Sequence, residues 1–454
     1  MVRIVATKDA SGSIIDSVVA DFRWGTKELT FGFRQQDLDG NDINDFDEGT
    51  WRAFYGAIFD NVASFAKLTF QETSFDEATL NQLMEEGSGG QSSVPYPNLA
   101  ADLGGRAQTF TQVNIGLPVA AASAAVIIGR YSDVWLHEIG HSLGLRHSFE
   151  IPGLIDDEAT DGSLGTHFLN SSLYTVMSYS PVVWGEDNPW TAAYDPVQTI
   201  LAAFPGSFMP VDVAALQQMY GRTEAKTGDT AYVFTDDLAT NGGYQTIWDT
   251  GGIDTIRYDG DSNAKIDLRE ATLQKEIGGG GFLSTSETLT GGFLVAHGVR
   301  IENGSGGRGD DLVIGNAYGN VLHGGGGADR LSGGSGADRL FGDDGDDVLA
   351  GDAGVDTLTG GAGADRFVFA ADGSADRVTD FSHADGDRID LSGLGADLSF
   401  IGKGAFSGQA GEVRYQVVKG GYTNIHIDLD GDRIGDIRII LEGSHSLALD
   451  DFLL

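Results

Sequence analysis

A nine-residue repeat in the second half of the chain restricts its fold more than any other feature of the sequence. From Gly306 to Val368, seven consecutive units follow the pattern G-G-x-G-x-D-x-U-x, in which U is apolar. The sixth position is occupied by Asp311, Asn320, Asp329, Asp338, Asp347, Asp356 and Asp365. The eighth position is occupied by Val313, Leu322, Leu331, Leu340, Leu349, Leu358 and Phe367. Such a repeat indicates stacked turns around one thin core, because a single unit cannot bury its apolar residue alone.

The chemistry of each repeat unit suits a calcium site. Glycine allows the positive φ that a tight turn requires, and the carboxylate and the turn carbonyls are hard oxygen ligands. Stacking places the turns side by side, so one ion can bridge two of them. A flexible Gly/Asp linker is the alternative, but a linker has no reason to keep one register over seven units. The unit containing Tyr318 and Asn320 departs from the pattern, and we expect a weak site or none there.

The charge balance excludes several classes of partner. The chain has 454 residues, with 67 Asp and Glu against 28 Lys and Arg, and a formal net charge of −39. We expect no nucleic acid and no membrane partner, because phosphate recognition needs basic patches and the longest apolar run, residues 119–128, is too short to span a bilayer. The lack of cysteine excludes disulfides, thiolate metal sites and a cysteine nucleophile.

Residues 137–147 read HEIGHSLGLRH, which is the pattern of a catalytic zinc site. His137 and His141 are four residues apart, so on a helix they share one face and can bind one ion. Gly144 ends the helix, and His147 then returns as the third ligand. Three neutral imidazoles leave a coordination position for water, and Glu138 can act on that water as general base. Incidental histidines in a core helix are the alternative, but this extended spacing rarely occurs by chance.

A methionine follows the zinc motif in a segment that favours a tight turn. Residues 174–179 read YTVMSY, and Met177 lies thirty residues after His147. A methionine turn beneath the histidines is typical of metzincins, whereas an isolated methionine would more often fill a core. Tyr179 can supply a phenolic ligand or donate a hydrogen bond to an oxyanion.

The composition predicts two domains. Residues 1–221 have ordinary globular composition, with helical apolar spacing from Trp51 to Leu68 and a second predicted helix, Val211 to Tyr220, ended by Gly221. From residue 222 onward the chain is strand-like and rich in Gly, Asp and Thr. The zinc motif and the methionine turn resemble those of metzincins, which implies an α+β metzincin-type catalytic domain over 1–221. The nonapeptides predict that an all-β calcium-binding parallel β-roll follows over 222–454.

The zinc motif, the Met-turn, the nonapeptides and the acidic C-terminus together resemble the serralysin family of secreted bacterial zinc metalloproteases, which carry RTX repeats. The resemblance implies that one zinc ion is bound by His137, His141 and His147. Glu138 would activate the attacking water. Tyr179 would be a switchable fourth ligand that stabilises the tetrahedral oxyanion.

The resemblance also implies several structural calcium ions. Segments 213–221, 246–255 and 296–303 resemble that family's last catalytic-domain helix and its pre-repeat calcium segments. Before the repeats the implied ligands are Gly228, Thr230, Asp249, Gly251, Asp254 and Glu302. Within the repeats they are Gly307, Gly309, Asp311, Gly325, Gly327, Asp329, Gly334, Gly336, Asp338, Gly342, Asp347, Gly351, Ala353, Asp356 and Asp365. One ion would lie between paired turns, with 334–338 facing 351–356.

Three further segments have local signals. Residues 100–116 are expected to form the edge strand above the cleft, where an extended peptide could pair with the main chain. Residues 37–48 are acidic at several EF-loop positions, but Asp42 replaces the required glycine, so a solvated turn capping the next helix is favoured. His167 is expected to be a surface residue. The family's Pro-Gly after the third histidine is replaced by Ser148-Phe149, in the loop that helps to line the primed side of the cleft.

The C-terminus and the N-terminus predict the route of export. The last five residues, DDFLL, resemble the uncleaved type I secretion signal of RTX proteins, and MVRIVATKDASGS lacks the apolar region of a Sec signal peptide. We expect a secreted, extracellular monomer with protein or peptide substrates. The type I secretion machinery and a small periplasmic protein inhibitor are the other expected partners.

Two other functions compete with proteolysis. An inactive metzincin-like domain on an RTX adhesion protein is disfavoured, because the motif keeps all its ligands and its base. A non-proteolytic RTX enzyme, such as one that modifies polysaccharides, is disfavoured because the zinc motif would have no role in it.

Overall fold

The computed structural model describes residues 4–6, 22–24, 27–35, 48–73, 80–86, 109–115, 136–137, 139–143, 145, 175–177, 207–237, 243–274, 279–288, 291–395 and 397–454. Within these ranges, no helix combines the length and the apolar character that crossing a bilayer requires.

The described residues of the N-terminal part form a two-stranded antiparallel sheet, a four-stranded parallel sheet and an amphipathic helix. Its strands are β1 (Ile4–Ala6), β2 (Phe22–Trp24), β3 (Glu28–Gln35), β4 (Thr69–Glu72), β5 (Leu80–Glu86) and β6 (Thr109–Ile115). Helix α1 (Glu48–Phe65) confirms the helix predicted around Trp51 to Leu68, and its apolar face packs on the four-stranded sheet, with the Phe31 and Phe59 ring centroids 4.6 Å apart. The order β4-β3-β5-β6, with parallel neighbours, places β6 at one end of this sheet among the described strands.

Helix α2 (Pro210–Tyr220) confirms the second predicted helix and leads into the C-terminal part. Gly221, with φ of 93°, ends it. The chain then passes α1 directly, because the Thr223 N–H donates to Phe65 O at 3.2 Å and Arg222 bridges to Ala66. Buried apolar residues from both parts of the chain therefore form one continuous cluster.

Most strands of the C-terminal part belong to two large sheets, while the short strands Ser335–Gly336 and Ala353–Gly354 pair in a separate two-stranded sheet. The strands are β7 (Ala231–Phe234), β8 (Gly243–Ile247), β9 (Thr255–Tyr258), β10 (Ala264–Asp267), β11 (Leu283–Ser286), β12 (Gly291–Val295), β13 (Asn303–Ser305), β14 (Leu312–Ile314), β15 (Val321–Gly326), β16 (Arg330–Ser332), β17 (Ser335–Gly336), β18 (Arg339–Asp344), β19 (Val348–Ala350), β20 (Ala353–Gly354), β21 (Thr357–Ala362), β22 (Arg366–Val368), β23 (Ala375–Val378), β24 (Arg388–Asp390), β25 (Ser399–Gly402), β26 (Glu412–Val418), β27 (Tyr422–Asp428), β28 (Ile437–Glu442) and β29 (Phe452–Leu453).

Successive repeat units alternate between the two sheets. Strands β14, β16, β19 and β22 are parallel neighbours in the ten-stranded sheet, and β15, β18 and β21 are parallel neighbours in the eleven-stranded sheet. Leu322 pairs with Leu340 and Leu340 with Leu358, so one full turn of the roll takes two nonapeptides. The eighth-position side chains are at most 2% exposed. The predicted parallel roll is therefore confirmed.

Candidate active site and metal centres

The first two histidines of the zinc motif lie together on a short helical segment, residues 136–137 and 139–142. The ring centroids of His137 and His141 are 4.8 Å apart. His137 Nδ1 lies 2.6 Å from Val176 O, and His141 Nδ1 lies 2.9 Å from Leu145 O. A carbonyl oxygen only accepts, so each Nδ1 carries the proton and each Nε2 carries the lone pair. This is the tautomer that binds a metal through Nε2, and a carbonyl partner on the other ring nitrogen is usual for zinc ligands.

Met177 packs directly beneath this helical segment. Its side chain is fully buried, and a Cβ placed on Gly140 would come within 2.7 Å of its sulfur. A larger residue between the two histidines would therefore displace the methionine. The turn predicted below the histidines is thus in contact with them.

Asp212, which was not among the predicted site residues, is hydrogen-bonded to this turn. Its carboxylate is fully buried and accepts hydrogen bonds from Thr175 Oγ1 at 2.6 Å, Val176 N at 2.8 Å and Met209 N at 3.1 Å. Burial raises the pKa of Asp212 to about 7, against the lowering effect of these bonds. An acid in the first turn of a helix ordinarily indicates a cap. The sequence signal that could have indicated its burial is that all other residues of 210–216 are apolar.

Tyr220, at the other end of α2, supports the end of the zinc-motif helix. Its hydroxyl donates to Leu143 O at 2.6 Å. Helix α2 therefore contacts both the histidine segment and the turn below it. This support was also not predicted, because Tyr220 and Leu143 are 77 residues apart.

Several predicted residues lie outside the described part of the chain. They are Glu138, His147 and Tyr179, together with His167 and residues 37–47 of the acidic segment. Their predicted roles stay predictions. Of the expected edge-strand segment, Thr109–Ile115 forms β6, which among the described strands pairs only with β5.

The six residues implied as calcium ligands before the repeats converge at one place. Asp254 accepts from the Thr230 N–H at 2.9 Å, and Glu302 accepts from the Asp254 N–H at 2.8 Å. Asp249 accepts from the Gly251 N–H at 3.2 Å. The Thr230 hydroxyl donates to Gly228 O at 3.1 Å. Burial, with the neighbouring carboxylates Asp249 and Glu302, raises the pKa of Asp254 to about 6. Such crowded, buried carboxylates suit a cation.

Sixth-position aspartates form two ladders along the roll. From Asp329 onward, each accepts through Oδ1 the N–H of the residue 18 positions earlier, as Asp356 does from Asp338 at 2.8 Å and Asp347 from Asp329 at 2.8 Å. Asp311 accepts instead from the Ala264 N–H. The second carboxylate oxygens are buried and accept no hydrogen bond from any described group in Asp329, Asp338, Asp347 and Asp356. An unpartnered buried acceptor costs about 1–3 kcal/mol, and more when charged. The arrangement fits a hard cation, and the oxygen donors suit calcium.

The pairing of turns follows the prediction. Turn 334–338 faces 351–356, since the Ala353 N–H donates to Gly334 O at 2.8 Å and Gly336 pairs with Gly354. In the other row of turns, Gly325 and Gly327 adopt φ of 110° and 113°. They lie against the backbone of residues 307 and 309. Their role as calcium ligands stays a prediction.

The repeat unit that departs from the pattern has Asn320 in place of the sixth-position aspartate. Asn320 Nδ2 donates to Ile301 O at 3.1 Å and to Glu302 O at 3.0 Å, and its Oδ1 accepts from the Asn316 N–H at 2.8 Å. The side-chain amide thus donates hydrogen bonds directly to two backbone carbonyl oxygens. This geometry supports the expectation of a weak site or none.

Protonation should stabilise the calcium-free roll. Burial raises the pKa of Asp329 and Asp365 to about 7, and those of Asp338, Asp347 and Asp356 to about 6. The pKa of Asp in an unfolded chain is about 4. Above that pH the folded roll therefore binds more protons than the unfolded chain, and it loses stability as the pH rises through about 6 to 7. In excess chelator, the β-sheet circular dichroism signal should therefore increase when the pH is lowered from about 8 to about 5. A signal that stays constant or falls would contradict this expectation.

Comparison with known proteins agrees with these features. Residues 217–454 match the family described as Peptidase M10 serralysin C terminal. Metalloprotease AprA of Pseudomonas entomophila is 34% identical over 424 residues, which are 84% of this chain and 78% of that protein. Metallopeptidase AprA of Pseudomonas marginalis is 37% identical over 337 residues, which are 69% of this chain and 61% of that protein. Serralysin of Photorhabdus laumondii is 28% identical over 343 residues, 70% and 65% of the two chains.

The chain spans between three fifths and four fifths of the length of these relatives. Among solved structures, the AlgE6R3 subunit of the Azotobacter vinelandii mannuronan C5-epimerase is 33% identical, with a TM-score of 0.21, and covers 32% of this chain and 78% of its own. The family match over more than half of the chain and the long alignment to the Pseudomonas entomophila protein identify the chain as a member of the serralysin family of M10 peptidases.

Proposed function

We propose that the chain is a secreted zinc-dependent endopeptidase whose C-terminal roll binds several calcium ions. The observation that carries the proposal is the pair His137 and His141. Both rings are held by backbone carbonyls in the metal-binding tautomer, above a buried methionine. With His147 they would provide three neutral nitrogen ligands, which is the donor set of a catalytic zinc site.

The residues of the motif divide the chemistry between them. Zinc, when bound, would polarise the scissile carbonyl and acidify the attacking water. Glu138 would take the proton of that water and deliver it to the leaving amine. Tyr179 would donate a hydrogen bond to the oxyanion as it develops. Strand β6, at the end of its sheet, would hold the substrate by main-chain pairing.

The roll would couple export to folding. At the low calcium level inside a cell its buried carboxylates would repel one another, and the chain would reach a type I secretion machine unfolded. Outside, calcium would neutralise them and shift the equilibrium to the folded roll by mass action. The same proposal includes a monomeric protein and a small periplasmic protein that inhibits it.

The experiment that tests this function is casein hydrolysis by the chain refolded with calcium and zinc. We expect cleavage within the casein chain that is lost after zinc chelation, restored by added zinc, and absent in His141→Ala. His323→Ala, on the outer surface of the roll, is the matched control and should keep parental activity, since that side chain is 42% exposed. A folded, zinc-loaded parent without activity would favour the inactive-homologue alternative.

A further inference from the structure

The turn beneath the histidines directs its polar hydrogens at one buried carboxylate. Asp212 accepts from the Thr175 hydroxyl and from the Val176 N–H, and the Met177 N–H donates to Thr175 Oγ1 at 3.1 Å. Thr175, Met177 and Asp212 are all 0% exposed. A lone buried carboxylate is costly unless its bonds are well formed. The geometry shows three such bonds, two of them to this turn.

Val176 joins Asp212 to the first zinc-ligand candidate. Its N–H donates to Asp212 Oδ2 at 2.8 Å, while its carbonyl oxygen lies 2.6 Å from His137 Nδ1. The same carbonyl belongs to the peptide whose N–H, on Met177, donates to Thr175 Oγ1. Both ends of that peptide are therefore fixed, one by the imidazole and the other by a hydroxyl that is itself bonded to Asp212.

Such a chain of hydrogen bonds has an electronic consequence as well as a geometric one. An N–H donated to a carboxylate-bound hydroxyl polarises its peptide, so the carbonyl at the other end becomes a stronger acceptor. A stronger acceptor at Nδ1 holds the imidazole in one tautomer and raises the basicity of Nε2. Partners of this kind typically alter metal affinity by about 10- to 100-fold.

We propose that Asp212 is a positioning residue that orients His137 for zinc, acting through Thr175 and the Val176 carbonyl. Helix α2, placed by sequence in the last part of the catalytic domain, would thereby set the metal affinity of a histidine 75 positions earlier. The inference rests on the proposed zinc function and adds a residue to it.

Zinc affinity, measured by competition with a chromophoric chelator, tests the proposal independently of activity. Asp212→Asn replaces one acceptor oxygen by a donor that faces N–H or O–H groups, so we expect zinc affinity to fall about 10- to 100-fold. Thr175→Val, which removes the hydroxyl but keeps the shape of the side chain, should also lower zinc affinity. Thr175→Ser keeps the hydroxyl and should bind zinc as the parent does. The visible spectrum of the cobalt-substituted protein should change in the first two variants only.

A general loss of stability would give a different pattern. Asp60→Asn, on the exposed face of α1, is the matched charge control and should leave affinity and spectrum unchanged. If Asp212→Asn does not fold, the contrast between Thr175→Val and Thr175→Ser decides the matter alone. Parental zinc affinity in Thr175→Val would overturn the inference while leaving the proposed function intact. A parent chain that binds no zinc would overturn both.

Discussion

Removal of calcium should abolish most of the β-structure of residues 222–454 at about pH 8, while addition of millimolar calcium should restore it. The reason lies in the two ladders of sixth-position aspartates. In four of them, Asp329, Asp338, Asp347 and Asp356, the backbone bond uses one carboxylate oxygen, and the second oxygen accepts no hydrogen bond from any described group. Without a cation, these buried charges repel one another, and they form part of the net charge of −39.

Far-UV circular dichroism during a calcium titration measures this effect. Asp356→Asn, which removes one ladder carboxylate, should raise the calcium concentration at half-folding several-fold. Asp60→Asn changes the same charge on the exposed face of helix α1 and should leave the midpoint unchanged. A chelated chain with the full β-sheet signal at about pH 8 would show that the roll folds without ions.

Replacing Glu138 by Gln should lower kcat/KM for casein-derived peptides by about 10²- to 10⁴-fold, the usual contribution of a general base. The amide cannot accept the proton of the attacking water, whereas the three histidines remain. Zinc content should therefore equal that of the parent. This separation of zinc binding from turnover distinguishes a base from a ligand.

Single-turnover kinetics together with metal analysis test the assignment. The pH profile of kcat/KM should lose its acidic limb in Glu138→Gln, because that limb reports ionisation of the base. Glu72→Gln, at the exposed end of β4, provides a Glu-to-Gln control of equal size. Parental turnover in Glu138→Gln would remove this residue from the mechanism.

The roll was predictable because its information is local. Each nine-residue unit carries its own turn glycines, its own carboxylate and one inward apolar residue, so the period alone predicts alternation and stacking. The structure confirms the consequence, with Leu322, Leu340 and Leu358 in one buried row. The two histidines were predictable for the same reason, because a spacing of four residues is enough to place them on one helical face.

The residues that support the candidate active site could be identified only from the tertiary structure. Asp212 meets Thr175 across 37 residues, and Tyr220 meets Leu143 across 77, with no periodic pattern that links them. An aspartate in a first helical turn has the same sequence signature whether it caps the helix in water or lies buried against another segment. Only the packing of α2 against the Met-turn decides between these cases.

The sequence by itself determined the roll, the zinc motif and the family, because these depend on residue types at short, repeated spacings. The tertiary structure alone decided which carboxylates are buried, which turn carbonyl orients His137, and that an amide of Asn320 closes one turn directly. The physical reason is that burial and hydrogen-bond partners depend on distant segments meeting in space. A local sequence pattern carries no information about which distant segments will be in contact.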